Sequence, residues 1–144
     1  MELKDQVISL DIAKRLKELG VPQESLFYWV PEYTVNMATG KKLHRIITDE
    51  TVNVLKKRKE YEGDFVSAFT LSELGELLPF EYSDTCKGKD GVWMCCHMEA
   101  ICDDYACEGD EIEITFNECE EADTEANARG LMLIYLLDQG IIKL

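Results

Sequence analysis

The chain has 144 residues, of which 46% are hydrophobic and 31% are charged, and its formal net charge at pH 7 is −14. This composition is typical of a globular domain, and the length fits a single domain over residues 1–144. The longest apolar run has eight residues, whereas a membrane span requires ~20. The first residues lack the apolar core of a secretory signal. We therefore expect a cytoplasmic protein that does not contact a membrane.

The negative charge is concentrated in the second half of the chain. Residues 1–72 contain 11 basic and 11 acidic side chains, whereas residues 73–144 contain 4 basic and 18 acidic ones. A surface of this sign repels a phosphate backbone, so direct binding to nucleic acid is not expected. The acidic half is either a solvated surface or a face that attracts a basic partner at long range.

The first predicted helix spans residues 10–19. Ser9 is a favourable N-cap, apolar residues recur along one stripe, and Gly20 ends the pattern. Residues 26–30 are aromatic and β-branched, and they precede Pro31. This composition predicts a short strand that ends before the proline.

The next segment predicts a β-hairpin, formed by residues 33–38 and 43–48. Apolar and polar residues alternate before a break at Thr39 and Gly40, and β-branched residues resume after it. Residues 52–64 are ambiguous, because their apolar start fits a strand while the basic run at 56–59 fits the exposed side of a short helix. Both assignments stay open at this point.

The second predicted helix, residues 71–78, has the clearest end signals in the chain. Thr70 and Glu73 have the spacing of a capping box, and Pro79 ends the apolar pattern. The turn-rich stretch 83–91 follows. Residues 92–98 predict a strand, and residues 111–116 predict a half-buried strand with an acidic outer side.

The last predicted helix spans residues 124–138, with Asp123 as its N-cap and Gly140 after its end. Its second half is apolar on every side, so we expect it in the centre of the fold or in a homo-oligomer contact. The element order α-β-β-β-α-β-β-α predicts an α+β fold. We expect an antiparallel sheet of four or five strands packed against three helices.

A cluster of cysteines raises the question of a metal site. The candidate zinc ligands are Cys95, Cys96, His97, Cys102 and Cys107. Their spacing argues against zinc, because adjacent residues of a strand point to opposite faces and the C-x₂-C spacing of zinc sites does not occur. We therefore predict no cofactor, with zinc as the alternative, and expect the six cysteines to be free thiols.

Other sites of chemistry are poorly supported by the sequence. The loop 103–111 has carboxylates in a calcium-like arrangement, but Ala106 and Thr115 occupy two positions where an EF-hand needs ligands. The chain has no P-loop, no G-x-S-x-G, no H-E-x-x-H and no G-x-G-x-x-G motif. No catalytic residue is predicted.

Three segments of the chain follow one another in a recognisable order and spacing: residues 8–20 with 25–29, residues 67–79, and residues 121–137. They resemble a family of short bacteriophage and prophage proteins that has no assigned activity. The resemblance implies a phage or prophage origin and action inside a bacterial cell. It implies no catalytic residue.

Together these observations predict a non-enzymatic accessory protein that binds a basic surface of a host or phage protein. The residues assigned to this acidic face are Asp103, Asp104, Glu108, Asp110, Glu111, Glu113, Glu118, Glu120 and Glu121. Residues two apart in a strand are ~6.6 Å apart, so an inhibitor that mimics DNA is one version of this hypothesis. The alternatives are a small-ligand or metal-binding module using the Cys/His-rich strand, and a homo-oligomeric structural protein.

Overall fold

The computed structural model describes residues 1–35, 37–58, 65–101 and 113–144, with residues 33–35, 99–101 and 113–117 described by their backbone alone. The helices are α1 (Leu3–Gln6), α2 (Leu10–Glu18), α3 (Asp49–Lys56), α4 (Leu71–Leu77) and α5 (Glu125–Asp138). The strands are β1 (Phe27–Val35), β2 (Lys42–Thr48), β3 (Val66–Ser67), β4 (Asp84–Lys87), β5 (Trp93–Ile101) and β6 (Glu113–Ala122). The α+β class is confirmed, and α2, α4 and α5 are the three predicted helices.

Among the described residues, the strands form two antiparallel sheets rather than the single sheet that was predicted. The first sheet has the order β2-β1-β3 and the second has the order β4-β5-β6. Strand β3 has two residues and is followed by the capped start of α4. The chain therefore leaves the first sheet through a helix, and β4 starts a new sheet instead of extending the old one.

Strand β1 continues through Pro31, so the expectation that the strand ends before this proline is wrong. Pro31 pairs with His44 of β2, while the register of β3 with β1 covers Tyr28 and Trp29. A proline has no N–H to donate, and bulges are among the places where a sheet accepts it. The register of β1 with β2 shifts between Pro31 and Val35, so the proline lies beside such an irregularity.

The first part of the ambiguous segment 52–64 is helical, because it belongs to α3. The Thr48 hydroxyl accepts a hydrogen bond from the backbone N–H of Thr51 at 3.4 Å, which caps the helix. Val52 is completely buried and anchors α3 to the rest of the fold. Residues 59–64 lie outside the described residues.

Part of the stretch 83–91 that was expected to be turns forms β4, which pairs antiparallel with β5. In the connection between them, the Gly88 N–H donates to the Val92 carbonyl at 2.8 Å. Gly91 has a φ of +87°, which glycine adopts without steric cost. The tight turn places β4 directly beside the cysteines of β5.

Helix α5 lies in the centre of the core, where it packs against α2, α4 and the second sheet. Its buried residues are Ala126, Ala128, Gly130, Met132, Leu133 and Leu136. Burial within the fold thus accounts for the apolar second half of this helix. Thr124 caps α5 by accepting from the Asn127 N–H at 3.2 Å, so the prediction of Asp123 as the cap is wrong. Asp123 instead accepts from the Asn127 side chain at 2.9 Å.

Helix α5 approaches the N-terminal segment closely at Gly130. A Cβ at this position would lie 2.7 Å from Cγ2 of Ile12 and 2.9 Å from Cγ2 of Ile8. Ile8 is completely buried and has no room to move away. Glycine is therefore required here by packing.

Gly130→Ala is expected to lower the free energy of unfolding by about 1–3 kcal/mol, because overpacking outweighs the ~1 kcal/mol by which alanine favours a helix. Gly75→Ala is the matched control, since its Cβ would meet the flexible end of Arg129, 2.9 Å from Nη1. We expect this control to keep or raise the stability. Urea denaturation followed by circular dichroism measures both, and equal losses in the two variants would contradict the packing argument.

Candidate functional site

The second sheet contains a β-bulge at Glu118. Cys96 of β5 pairs with Cys119 of β6, and the next residue, His97, pairs with Asn117, so Glu118 is an extra residue in β6. Glu118 has a φ of +44°, a backbone conformation that is unfavourable for residues other than glycine. Bulges are frequent next to functional sites, which directs attention to the residues around this one.

Cys96 and Cys119 form a disulfide bond next to the bulge, with a Cα–Cα distance of 4.1 Å. The expectation that all six cysteines are free thiols is therefore wrong for these two. Residues directly opposite each other in an antiparallel pair approach to ~4.5 Å where no backbone hydrogen bond joins them, which brings two cysteines within bonding reach. Cys96 is 4% exposed, whereas Cys119 lies on the surface.

Cys95 lies on the other side of β5 and belongs to the core. Its side chain is completely buried, and its Sγ donates a hydrogen bond to the carbonyl of Tyr82 at 3.2 Å. Burial raises the pKa of this thiol to about 12, with carboxylates of Asp84 and Glu125 acting in the same direction. Cys95 is therefore a packing residue and not a nucleophile.

His97 stacks on Tyr82, with ring centroids 4.2 Å apart and an interplanar angle of 12°. The Tyr82 ring belongs to a 3₁₀ turn, Phe80–Tyr82, that follows α4. Tyr82 thus covers the same side of β5 on which Cys95 is buried. The contact holds the imidazole against a ring instead of directing it toward the neighbouring sulfur atoms.

The bulge is joined to α5 by a hydrogen bond from the Tyr135 hydroxyl to Oε2 of Glu118, with an O–O distance of 2.5 Å. The carboxylate accepts a hydrogen bond from the phenolic O–H, and its negative charge opposes formation of the phenolate. This hydrogen bond, together with some desolvation, raises the pKa of Tyr135 to about 12. We call Cys96, Cys119, Glu118 and Tyr135 the disulfide–bulge site.

The acidic residues of β6 do not share one face of the sheet. Glu120 pairs with Cys95, and partial burial raises the pKa of its carboxyl group. Glu121 pairs with Met94, which faces the opposite side, and its side chain is exposed. The bulge at Glu118 interrupts the alternation of β6 before these two residues, so Glu120 and Glu121 do not continue the regular carboxylate spacing expected at Glu111 and Glu113.

The other residues assigned to the acidic face have no described side chains. Glu113 lies at the start of β6 and is described by its backbone alone. The remaining residues, outside the described residues, are Asp103, Asp104, Glu108, Asp110 and Glu111. The calcium-like loop 103–111 lies in the same part of the chain.

The candidate zinc ligands do not converge. The Cys96 sulfur is bonded to Cys119, the Cys95 thiol faces the core, and the His97 ring is stacked on Tyr82. Within residues 1–35, 37–58, 65–101 and 113–144, no group of three or more His, Cys, Asp or Glu side chains could hold a metal ion. Cys102 and Cys107 lie outside these ranges.

An open pocket of about 250 Å³ lies beside α4, away from the second sheet. It is lined by Pro22, Glu24, Phe69, Glu73, Glu76 and Leu77. The Glu73 carboxylate is already bound, because it accepts from the N–H groups of Thr70 at 2.7 Å and Leu26 at 2.8 Å. It also accepts from the Ser25 hydroxyl at 3.1 Å. Glu73 therefore joins α4 to the start of β1 and has a structural role in this pocket.

Sequence reasoning missed the disulfide and the part played by Tyr135. Cys119 is separated from Cys96 by 23 positions, and the pairing depends on the register of β5 with β6. The available signal was that Cys96 lies within the predicted strand 92–98, while Cys119 lies just after the end of the predicted strand 111–116. The bulge shifts the register by one residue, so alternation alone does not identify the pair.

Comparison with protein-family models, with curated proteins and with solved structures gives no match for this chain. Among the described residues, none of the helices is long and apolar enough to cross a membrane.

Alkylation distinguishes the two free cysteines of the described chain, exposed Cys86 and buried Cys95. At neutral pH we expect iodoacetamide to modify Cys86 quickly and to leave Cys95 unmodified until urea unfolds the protein, because Cys95 is inaccessible and forms almost no thiolate. Peptide mass spectrometry locates the label. Equal labelling rates in the folded protein would contradict the burial of Cys95.

Alkaline titration tests the hydrogen bond between Glu118 and Tyr135. Glu118→Gln is expected to bring the Tyr135 pKa down from about 12 toward the ordinary value of 10.0, because the glutamine carries no charge that opposes the phenolate. The stabilisation from this neutral phenol is complete below pH 10 and is lost as the pH rises through 12. Tyrosinate absorbance, with the Tyr135→Phe signal subtracted, measures the transition. Glu121→Gln is the control, and we expect it to leave the Tyr135 transition near pH 12.

Proposed function

We propose that this protein is a non-enzymatic accessory protein of a bacteriophage or prophage that acts in the bacterial cytoplasm. It binds a host or phage protein through the acidic strand β6 and the acidic residues of the segment 103–111, which precedes β6 in the sequence. These residues contact a basic surface of the partner. The resemblance of residues 8–20 with 25–29, 67–79 and 121–137 to phage and prophage proteins supports the origin. The charge distribution supports the mode of binding.

The single observation that carries this proposal is that the described carboxylates of β6 have no lysine or arginine partner within the described part of the chain. Within the described part of the chain, Glu118, Glu120 and Glu121 form no ion pair with a lysine or arginine. The ion pairs of the described residues involve other elements, such as Arg15 with Asp138 at 2.9 Å. A carboxylate that no internal cation neutralises attracts a cation outside the molecule.

The two sheets also differ in charge. The edge strand β2 and the residue before it carry exposed Lys41, Lys42 and Arg45, while the exposed edge of the second sheet carries glutamates. A molecule with separated charges orients itself as it approaches a charged partner, which increases the association rate.

The glutamates of β6 point in different directions, so docking on a basic protein surface is better supported than imitation of the regular charge spacing of DNA.

The proposal is tested with two triple variants of equal net charge and a short poly-lysine peptide as the basic probe. The acidic-strand variant is Glu118→Gln, Glu120→Gln and Glu121→Gln, and the control variant is Asp11→Asn, Glu24→Gln and Glu50→Gln. We expect the acidic-strand variant to lose about 1–2 kcal/mol of binding free energy, since each exposed charge contributes ~0.5 kcal/mol. Isothermal titration calorimetry measures the affinity.

The control variant is expected to bind like the unaltered protein, and added salt is expected to weaken all three affinities through screening. If both variants lose affinity equally, the attraction reflects net charge alone and the assignment to β6 fails. Circular dichroism confirms that both variants keep the fold.

A further inference from the structure

The Cys96–Cys119 disulfide joins two strands at the residue where their register changes. The bond fixes Cys119 opposite Cys96, and the very next pair, His97 with Asn117, is shifted by the extra residue Glu118. The cross-link therefore holds one side of the bulge in place. The hydrogen bond from Tyr135 to Glu118 holds the extra residue from the side of α5.

The two cysteine residues of this bond differ in exposure. Cys119 lies on the surface of the edge strand β6, whereas Cys96 lies on the central strand β5 and is 4% exposed. Thiol–disulfide exchange requires a thiolate to approach one sulfur in line with the bond, so access decides which sulfur is attacked. An external thiol can reach Cys119, and Cys96 is then the leaving group.

The neighbouring thiols of the described chain do not compete for this bond. Cys95 faces the opposite side of β5, where its Sγ donates to the Tyr82 carbonyl. Cys86 stands opposite Met94, two residues along β5 from Cys96. Diagonal neighbours in an antiparallel ladder are ~7–8 Å apart, beyond the usual reach of a disulfide.

We infer that the Cys96–Cys119 disulfide is a thiol–disulfide exchange site for an external dithiol, attacked at Cys119, and that its reduction releases the bulge at Glu118 from its contact with Tyr135. The substrate class is a small or protein-borne dithiol. The site shares Glu118 with the proposed docking strand, but the exchange does not require docking on a basic partner.

The dithiol supplies the two electrons and two protons that reduction of the disulfide requires. One thiolate of the reagent bonds to the Cys119 sulfur, the bond between Cys96 and Cys119 breaks, and the electron pair leaves on the Cys96 sulfur, which takes a proton. The second thiolate of the reagent then bonds to the reagent's own first sulfur and displaces Cys119, which is protonated in turn. The dithiol loses two electrons and two protons and becomes a cyclic or internal disulfide, and the protein gains both.

Reduction removes the covalent link that keeps Cys119 opposite Cys96. The bulge can then rearrange and relieve the left-handed backbone of Glu118, since the covalent link no longer fixes the pair beside it. This movement turns the Glu118 carboxylate away from the Tyr135 hydroxyl. The groups that then remain near Tyr135 are Tyr82 and Glu120.

The first experiment treats the oxidised full chain with dithiothreitol without denaturant and maps alkylated cysteines by mass spectrometry. We expect Cys96 and Cys119 to become alkylated together while Cys95 stays protected. With glutathione as a monothiol probe, we expect the mixed disulfide on Cys119. A bond that resists dithiothreitol until urea unfolds the protein overturns the exchange site, and glutathione on Cys96 overturns the assigned direction of attack.

The second experiment measures the Tyr135 titration in the oxidised and the reduced protein, each with its Tyr135→Phe counterpart subtracted. We expect the transition near pH 12 in the oxidised protein to move toward 10 after reduction. Cys86→Ser, which keeps the disulfide, is the control and shows the same shift as the unaltered protein. A Tyr135 transition that stays in place on reduction overturns the coupling between the disulfide and the bulge. Neither result depends on binding to poly-lysine.

Discussion

The packing of α5 against the N-terminal segment is the constraint on which the rest of the structure depends. Gly130 lets α5 approach Ile8 and Ile12 so closely that a Cβ at this position would force one of them to move. From this position α5 contacts α2 and α4 on one side and the second sheet on the other. The same helix therefore forms the core and supports the strands that carry the candidate site.

The disulfide–bulge site depends on this arrangement because Tyr135 projects from α5 to the extra residue of β6. Its hydrogen bond to Glu118, at 2.5 Å, offsets part of the cost of a left-handed backbone at a glutamate. The disulfide to Cys96 stabilises the same register from the opposite strand. An exchangeable bond of this kind also agrees with the proposed action in a reducing cytoplasm, where lasting disulfides are rare.

The helices could be predicted because their end signals are local. Gly20 and Gly140 both adopt positive φ, and the N–H groups of Val21 and Ile141 bond back to carbonyls in the last helical turn. Elements that depend on distant partners were predicted less well. Strand β1 passes through Pro31 because β2 continues to pair with it on both sides of the proline, and this register joins two segments that are distant in the chain.

The sequence by itself determined the α+β class, the positions of α2, α4 and α5, and the gathering of carboxylates in the second half of the chain. These properties follow from composition and from interactions within a few residues, which hold whatever the rest of the chain does. The tertiary structure decided the division into two sheets, the pairing of Cys96 with Cys119 and the contact of Glu118 with Tyr135. Each of these depends on strand register and helix packing, which bring together residues that are far apart in the chain.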